Sequence, residues 1–342
     1  MNIRFLFCFF FSTVSAYTSS DCGADGHEPW LCEYMANHKR NYSGHAEMKL
    51  RKSKLKTQLL QQSITDKTFG LTSRSDRFVH ENKRNQPLKF QHHKKITRAI
   101  TNTHIHLASA RMPPIDWRQV QGVSFVSPVK DQGECGDCFA FASATVLEFW
   151  SAIHRGFPKS LSSQVISDCT SGSGRPDVAC DGGLMEYVYE YAKQHPVPLT
   201  QDYPYQDKET RCPRKATSYV KVNDYKVLMH DENSNTEHEF EVILHRFGPI
   251  SVGVDSSNMD NYKQGLFTAE MCSNDIDHAV TIVGYTEEAW IIKNSWGEDW
   301  GQDGYLYLER GKNACGIAEY AVYVDSAEPI RRNLRTEWYM DP

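Results

Sequence analysis

Apolar and polar positions fall into three regimes along the chain. At the start, Phe5-Leu6-Phe7-Cys8-Phe9-Phe10-Phe11 is an unbroken apolar run after Arg4, followed by the small residues Val14-Ser15-Ala16. This run is too short to span a bilayer, and no other stretch is apolar for long enough. It has the pattern of a signal peptide, residues 1–16, cut near Ala16. Residues 17–112 are mainly polar and poor in glycine, and positions 45–62 (HAEMKLRKSKLKTQLLQQ) have helical composition. Pro113-Pro114 cannot continue a helix and suits an exposed linker. Beyond it the chain turns rich in glycine, aromatic residues and cysteine, which places the functional domain at 113–326 and leaves 327–342 as a tail without an assigned role. Within that domain, 138–153 (CFAFASATVLEFWSAI) predicts a buried helix that starts after the turn glycines Gly133 and Gly136. From about residue 248 the pattern changes to strands: PISVGVD, HAVTIVGY, WIIKNSW, GYLYLER and EYAVYVD. A helical half followed by a strand-rich half predicts an α+β fold of two subdomains with a cleft between them.

Charge sharpens the division. The net charge of −5 conceals 17 Lys and Arg against 8 Asp and Glu in residues 17–112, and 20 against 35 in residues 113–342. A basic arm often marks a nucleic-acid-binding tail. Here the acidic remainder of the same chain is the nearer partner, so no nucleic acid is expected. The apolar leader directs the chain to an oxidising compartment where cysteines can pair.

The functional domain holds seven cysteines, at 135, 138, 169, 180, 212, 272 and 315, so at least one is unpaired or reactive. Cys135-Gly136-Asp137-Cys138 has C-x-x-C spacing. A zinc site needs a second ligand pair, but the other cysteines are scattered singly; a redox pair needs a βαβ unit, and none precedes it. No metal is expected. The remaining reading pairs Cys135 elsewhere and leaves Cys138 free on the first turn of the apolar helix. There, backbone N–H groups and the helix dipole favour a thiolate.

A thiolate nucleophile needs a base. Of six histidines in this domain, His278 opens the strand HAVTIVGY, and WIIKN returns after a short turn. In a hairpin symmetric about residue 286, His278 faces Asn294, whose amide would fix the imidazole tautomer. Trp296, two residues on, would shield that bond from water. The backbone N–H of Cys138 and the side-chain amide of Gln132 are candidate donors to an oxyanion.

These segments together resemble the papain family of cysteine proteases, and its cathepsin L-like branch in particular. The resemblance rests on Gln132-Gly133-x-Cys135-Gly136-x-Cys138-x-Ala140-Phe141, Leu161-Ser162-x-Gln164, Asp168-Cys169 and Cys180-x-Gly182-Gly183. It continues in Asp277-His278-Ala279-Val280, Lys293-Asn294-Ser295-Trp296-Gly297 and Cys315-Gly316, and spans about 113–326. It implies a papain-like fold, with a helical half and an antiparallel, barrel-like half on either side of the active-site cleft. It also implies a Cys138–His278–Asn294 triad with Gln132 in the oxyanion hole. The same likeness pairs Cys135 with Cys180, Cys169 with Cys212 and Cys272 with Cys315, each closing a loop worth about 4 kcal/mol on the chain-entropy model. Gly182 and Gly183 would offer backbone to an extended substrate, beside Asp277 and Trp296. Leu184, Met185, Gly253, Ala279 and Tyr320 would line an apolar pocket for the second residue before the scissile bond, with Tyr320 making its floor shallow.

The resemblance further implies that 17–112 is an inhibitory propeptide. Gly70-x-Thr72-x-Arg74-x-Asp76 is a degenerate form of a propeptide motif, and Glu47-x-x-x-Arg51 starts a helix signature whose later positions do not match. The chain is thus expected to be a monomeric, secreted zymogen of an endopeptidase, without cofactor or membrane span, in a lysosomal or extracellular setting. Peptide substrates, its own propeptide and cystatin-like inhibitors are its expected partners. The family usually has serine before the nucleophile and tryptophan after it; here stand Asp137 and Phe139. An ionised Asp137 about 7 Å from the thiolate would oppose it by about 0.6–2.4 kcal/mol and also steady the imidazolium. These two positions motivate an alternative, a catalytically silent homologue that acts as a binding protein.

Overall fold

The computed structural model describes residues 16–25, 28–61, 69–72, 74–75, 112–170, 179–213, 219–230 and 236–330. The expected signal peptide falls outside this set except for Ala16, as do Asp76 and the tail from 331. Three helices come first: α1 (Ser19–Ala24), α2 (Pro29–Asn37) and α3 (His45–Gln61). They enclose a small core of Tyr17, Leu31, Tyr34, Met35, Tyr42, Met48 and Leu55. Cys22 and Cys32 are joined across α1 and α2. A core this small gains from such a staple.

The larger domain has two cores. The first surrounds α4 (Cys138–Arg155), of which fourteen of eighteen residues are buried. The helix stops at Gly156, whose φ of +82° is left-handed and whose N–H caps Ala152 O at 2.7 Å. His154 and Arg155 sit in its last turn, where the dipole favours positive charge. Helices α5 (Ser163–Thr170) and α6 (Met185–Gln194) pack beside it. The second core lies between α7 (Thr236–Phe247) and the sheet, around Ile250, Val252, Val280, Ile282, Trp290 and Trp296.

The strands are β1 (Ile115–Asp116), β2 (Val220–Met229), β3 (Ile250–Val254), β4 (Leu266–Phe267), β5 (His278–Tyr285), β6 (Ala289–Lys293), β7 (Tyr305–Glu309) and β8 (Tyr320–Pro329). Their order is β2-β8-β3-β5-β6-β7-β4, with β1 on β5. Every pairing is antiparallel except β4 with β7. Strand β5 is buried along its whole length because it separates the two cores: Ala279 joins the first and Val280 the second. That shared strand begins with His278, at the junction where α4 also begins. No described helix is long and apolar enough to cross a membrane.

Candidate active site

Cys138 is the first residue of α4, is 1% exposed, and is the single free cysteine among the described residues. The bonds Cys135–Cys180, Cys169–Cys212 and Cys272–Cys315 take up the other six of the domain. The first of them anchors the loop immediately before the nucleophile candidate. Gly133 in that loop has φ +61°, and a Cβ there would lie 2.0 Å from the Asp207 carboxyl. The absence of a side chain lets Asp207 Oδ1 accept the backbone N–H groups of Glu134 at 2.5 Å and Cys135 at 3.0 Å. Two turn N–H groups are thereby satisfied and the loop is fixed.

Opposite Cys138, the N–H of Ala279 donates to its sulfur at 3.3 Å, so the sulfur lies against the His278–Ala279 peptide. His278 is fully buried, and its Nε2 lies 2.8 Å from Asn294 Oδ1. An amide oxygen only accepts, so this contact places a proton on Nε2. The Trp296 ring stacks on the imidazole, with centroids 4.7 Å apart and planes inclined by 27°.

The route to this pairing differs from the symmetric hairpin read in the sequence. The turn closes between Thr286 and Ala289, centred one and a half residues later than expected, and a bulge shifts the register between Ile282 and Gly284. Thr281 pairs with Lys293, so one further step sets Asn294 across from Val280. His278 and Asn294 therefore meet diagonally, within reach of side chains on one face.

Gln132 is fully buried. Its backbone N–H donates to Ser295 O at 2.9 Å, its Oε1 accepts the Ser295 hydroxyl at 2.6 Å, and its Nε2 donates to Cys135 O at 2.9 Å. The loop before Cys138 is thus laced to the segment after Asn294. Behind this seam, buried Glu148 of α4 accepts from Lys130 Nζ at 2.5 Å, from the Leu161 N–H at 2.7 Å and from the Ser127 hydroxyl. Lys293 Nζ donates to Ser127 Oγ at 2.9 Å, and burial brings its ammonium down to about 7 against the pull of Glu148. Tyr205, Asp207 and Ser295 were not singled out in the sequence. Ser295 lies inside a quoted motif, whereas Tyr205 and Asp207 come from a loop about seventy residues away with no local signal.

Asp137 is enclosed on the far side of the loop before Cys138. Its carboxyl is fully buried and points to Tyr205, and it makes no side-chain cap on α4. The Tyr205 hydroxyl lies 2.7 Å from Gln132 O and 3.0 Å from Asp137 Oδ1. With one proton, it donates to only one of these acceptors. A protonated Asp137 donates to the hydroxyl oxygen and completes the chain to Gln132. Burial agrees, since desolvation lifts this carboxyl well above the usual range, against opposing hydrogen bonds. In the intact chain burial pushes the Cys138 thiol up to about 12, with the Ala279 N–H opposing and the Asp137 and Asp277 carboxyls adding to the rise. Burial likewise lifts Asp277 to about 6, although the Ser256 N–H donates to its carboxyl at 2.8 Å.

The substrate-side candidates also converge. Leu184, Met185, Ala279 and Tyr320 share one buried cluster with Cys138. Gly253 pairs with Ala279. The Tyr320 hydroxyl accepts the Met185 N–H at 3.2 Å and donates to Glu186. Gly182 has φ +94°, and a Cβ on Gly183 would come within 2.8 Å of the Phe139 ring, so Phe139 fills the space directly beneath that glycine.

The N-terminal segment reaches this site at residues 69–75. Phe69 bridges to Tyr262, and the Gly70 N–H donates to Asn261 O at 2.9 Å. The Thr72 hydroxyl donates to Asp260 O and the Ser75 hydroxyl to Asn261 Oδ1, both at 2.6 Å.

A model of the papain family of cysteine proteases matches residues 112–325. The cysteine endopeptidase RepA of Oryza sativa subsp. japonica is 38% identical over 238 residues, covering 65% of this chain and 58% of the relative. A cathepsin L-like proteinase of Phaedon cochleariae is 38% identical over 217 residues, covering 61% and 64%. The chain therefore spans less than two thirds of the length of these two relatives. Among solved structures, digestive procathepsin L 3 of the Tenebrio molitor larval midgut superposes with a TM-score of 0.73 at 26% identity, covering 86% of this chain and 97% of the other. The family model takes in every residue of the cysteine, histidine and asparagine constellation described above, and the chain belongs to the papain family of cysteine proteases.

Proposed function

We propose that this chain is the latent precursor of a cysteine endopeptidase, with Cys138 as nucleophile, His278 as acid and base, Asn294 as its orienting partner and Gln132 in the oxyanion hole. One observation carries the reading: the Cys138 sulfur sits against the His278–Ala279 peptide while the far nitrogen of the imidazole is tied to Asn294. With Nε2 committed to the amide, Nδ1 is the nitrogen that exchanges a proton with sulfur and substrate. The thiolate attacks the peptide carbonyl, protonated His278 gives its proton to the departing amine, and water then hydrolyses the thioester. The Cys138 N–H and the second amide hydrogen of Gln132, whose first goes to Cys135 O, serve as donors to the charge that develops on the carbonyl oxygen.

Latency follows from burial. A thiol held near 12 is un-ionised at neutral pH, and uncovering the cleft returns the water and the imidazolium pairing that favour a thiolate. Residues 17–112 act as the covering propeptide, released by cleavage near Pro113, and residues 1–16 as the secretory signal. The packing of Leu184, Met185, Ala279 and Tyr320 supports a preference for an aliphatic side chain two residues before the scissile bond. Burial raises the Asp137 carboxyl and so reduces its charge beside the sulfur, which weakens the motive for a silent binding protein. The processed chain is expected to cleave fluorogenic peptides with Leu at that position faster than those with Phe. Cys138→Ala is expected to lower turnover by on the order of 10⁴-fold or more. Turnover that survives Cys138→Ala would end the proposal.

A further inference from the structure

Arg74 stands where it has no analogue in the catalytic scheme. Its side chain is fully enclosed, its Nε donates to Asp260 Oδ1 at 2.6 Å, and its guanidinium carbon lies 3.7 Å from the centroid of the Trp296 ring. A carboxylate at one edge and an indole face beneath are the two features that select a planar cation over a neutral side chain. Both walls belong to the domain after Pro113, whereas the occupant belongs to the segment that processing removes. The approach is close at Gly70 too, where a Cβ would come within 2.8 Å of Lys263. Removal of residues 69–75 bares a notch already shaped around an arginine.

Trp296 also stacks on His278 at 4.7 Å, so the notch adjoins the group that hands its proton to the departing amine. We propose that in the processed enzyme the Asp260–Trp296 notch is a specificity subsite for an arginine side chain of the peptide substrate, on the amine side of the scissile bond. Arg74 is its resident occupant in the precursor. The proposal rests on the catalytic reading above for its direction, since the leaving strand passes beside the imidazole. Lysine fills the site less well, because a point charge on a flexible stem lacks the flat face that covers an indole.

The test uses the processed enzyme and internally quenched peptides identical but for Arg, Lys, Leu or Gln, placed in turn at each of the first three positions on either side of the cleaved bond. At one position on the amine side, kcat/KM is expected to be about tenfold higher for Arg than for Leu, with Lys between. Asp260→Asn is expected to bring that ratio close to one. Equal rates for Arg and Leu, an arginine preference found only on the acyl side, or a preference that survives Asp260→Asn would each overturn the assignment. If no peptide is cleaved, it is the catalytic reading that has failed, and the notch is then read by binding alone. The synthetic peptide of residues 69–75 is titrated against the processed chain beside its Arg74→Leu version. An affinity at least tenfold lower for the latter supports the notch, and equal affinities refute it.

Discussion

At the scale of single residues, Asp137 is the position where environment decides chemistry. In the sequence it is a charge beside a nucleophile. In the fold it is a buried acid in a relay through Tyr205 to the carbonyl of Gln132. Its ionisation carries a sign. The folded carboxyl titrates above the unfolded one, so the folded state holds the proton longer, and stability falls as pH rises from the unfolded value towards the folded one. Below the unfolded value this loss is absent. Asp137→Asn cannot ionise and keeps a donor to the Tyr205 oxygen. Its stability relative to the parent is expected to be nearly unchanged at pH 4 and to rise progressively towards pH 7.5. Denaturant unfolding at several pH values measures this; a difference that does not vary with pH would contradict a protonated Asp137.

At the scale of elements, the loop before α4 and the β5–β6 hairpin were legible to different depths. Cys138, His278 and Asn294 were identifiable because each sits at an element boundary marked by a change in hydrophobic period. Their mutual geometry was not, because the bulge between Ile282 and Gly284 and the later turn shift the register without a pattern signal. The apolar stretch at 138–153 does fold as a buried helix, extended by two residues to Arg155, since His154 and Arg155 complement its dipole and Gly156 stops it. The loop's shape depends on Gly133 and on Asp207, distant in sequence. An alanine at 133 adopts the left-handed conformation at about 1–2 kcal/mol and also meets the Asp207 carboxyl. Gly133→Ala is therefore expected to lower the Tm and to lower kcat, by displacing Gln132 and the start of α4. A variant that keeps both parental values would show that this loop does not position the site.

At the scale of the whole molecule, the two-part charge distribution and the docking of residues 69–75 belong together. Residues 17–112, with 17 basic and 8 acidic side chains, precede a remainder, 113–342, with 20 and 35. The Arg74–Asp260 pair is one short contact across that boundary. Coulomb attraction of this kind is present above the carboxylate pKa range and is lost as pH falls through it. Release of residues 17–112 is expected to be several-fold faster at pH 4.5 than at pH 7, followed by gel and N-terminal analysis; equal rates would remove charge as the latch. A change of composition near residue 112 is plain in the sequence. The separate small core around Leu31, Tyr34 and Met48 is not, because apolar residues in that region are sparse and its disulfide links helices too short to show a period.

A nucleophilic Cys138 paired to His278 has a chemical signature: the intact mass of the acid-processed chain after exposure to a peptidyl epoxide, followed by mapping of the modified residue. One adduct is expected, on Cys138, with peptide cleavage lost in proportion to labelling and a new N-terminus near Pro113. A folded, processed chain that takes up no label and cleaves no peptide would contradict it.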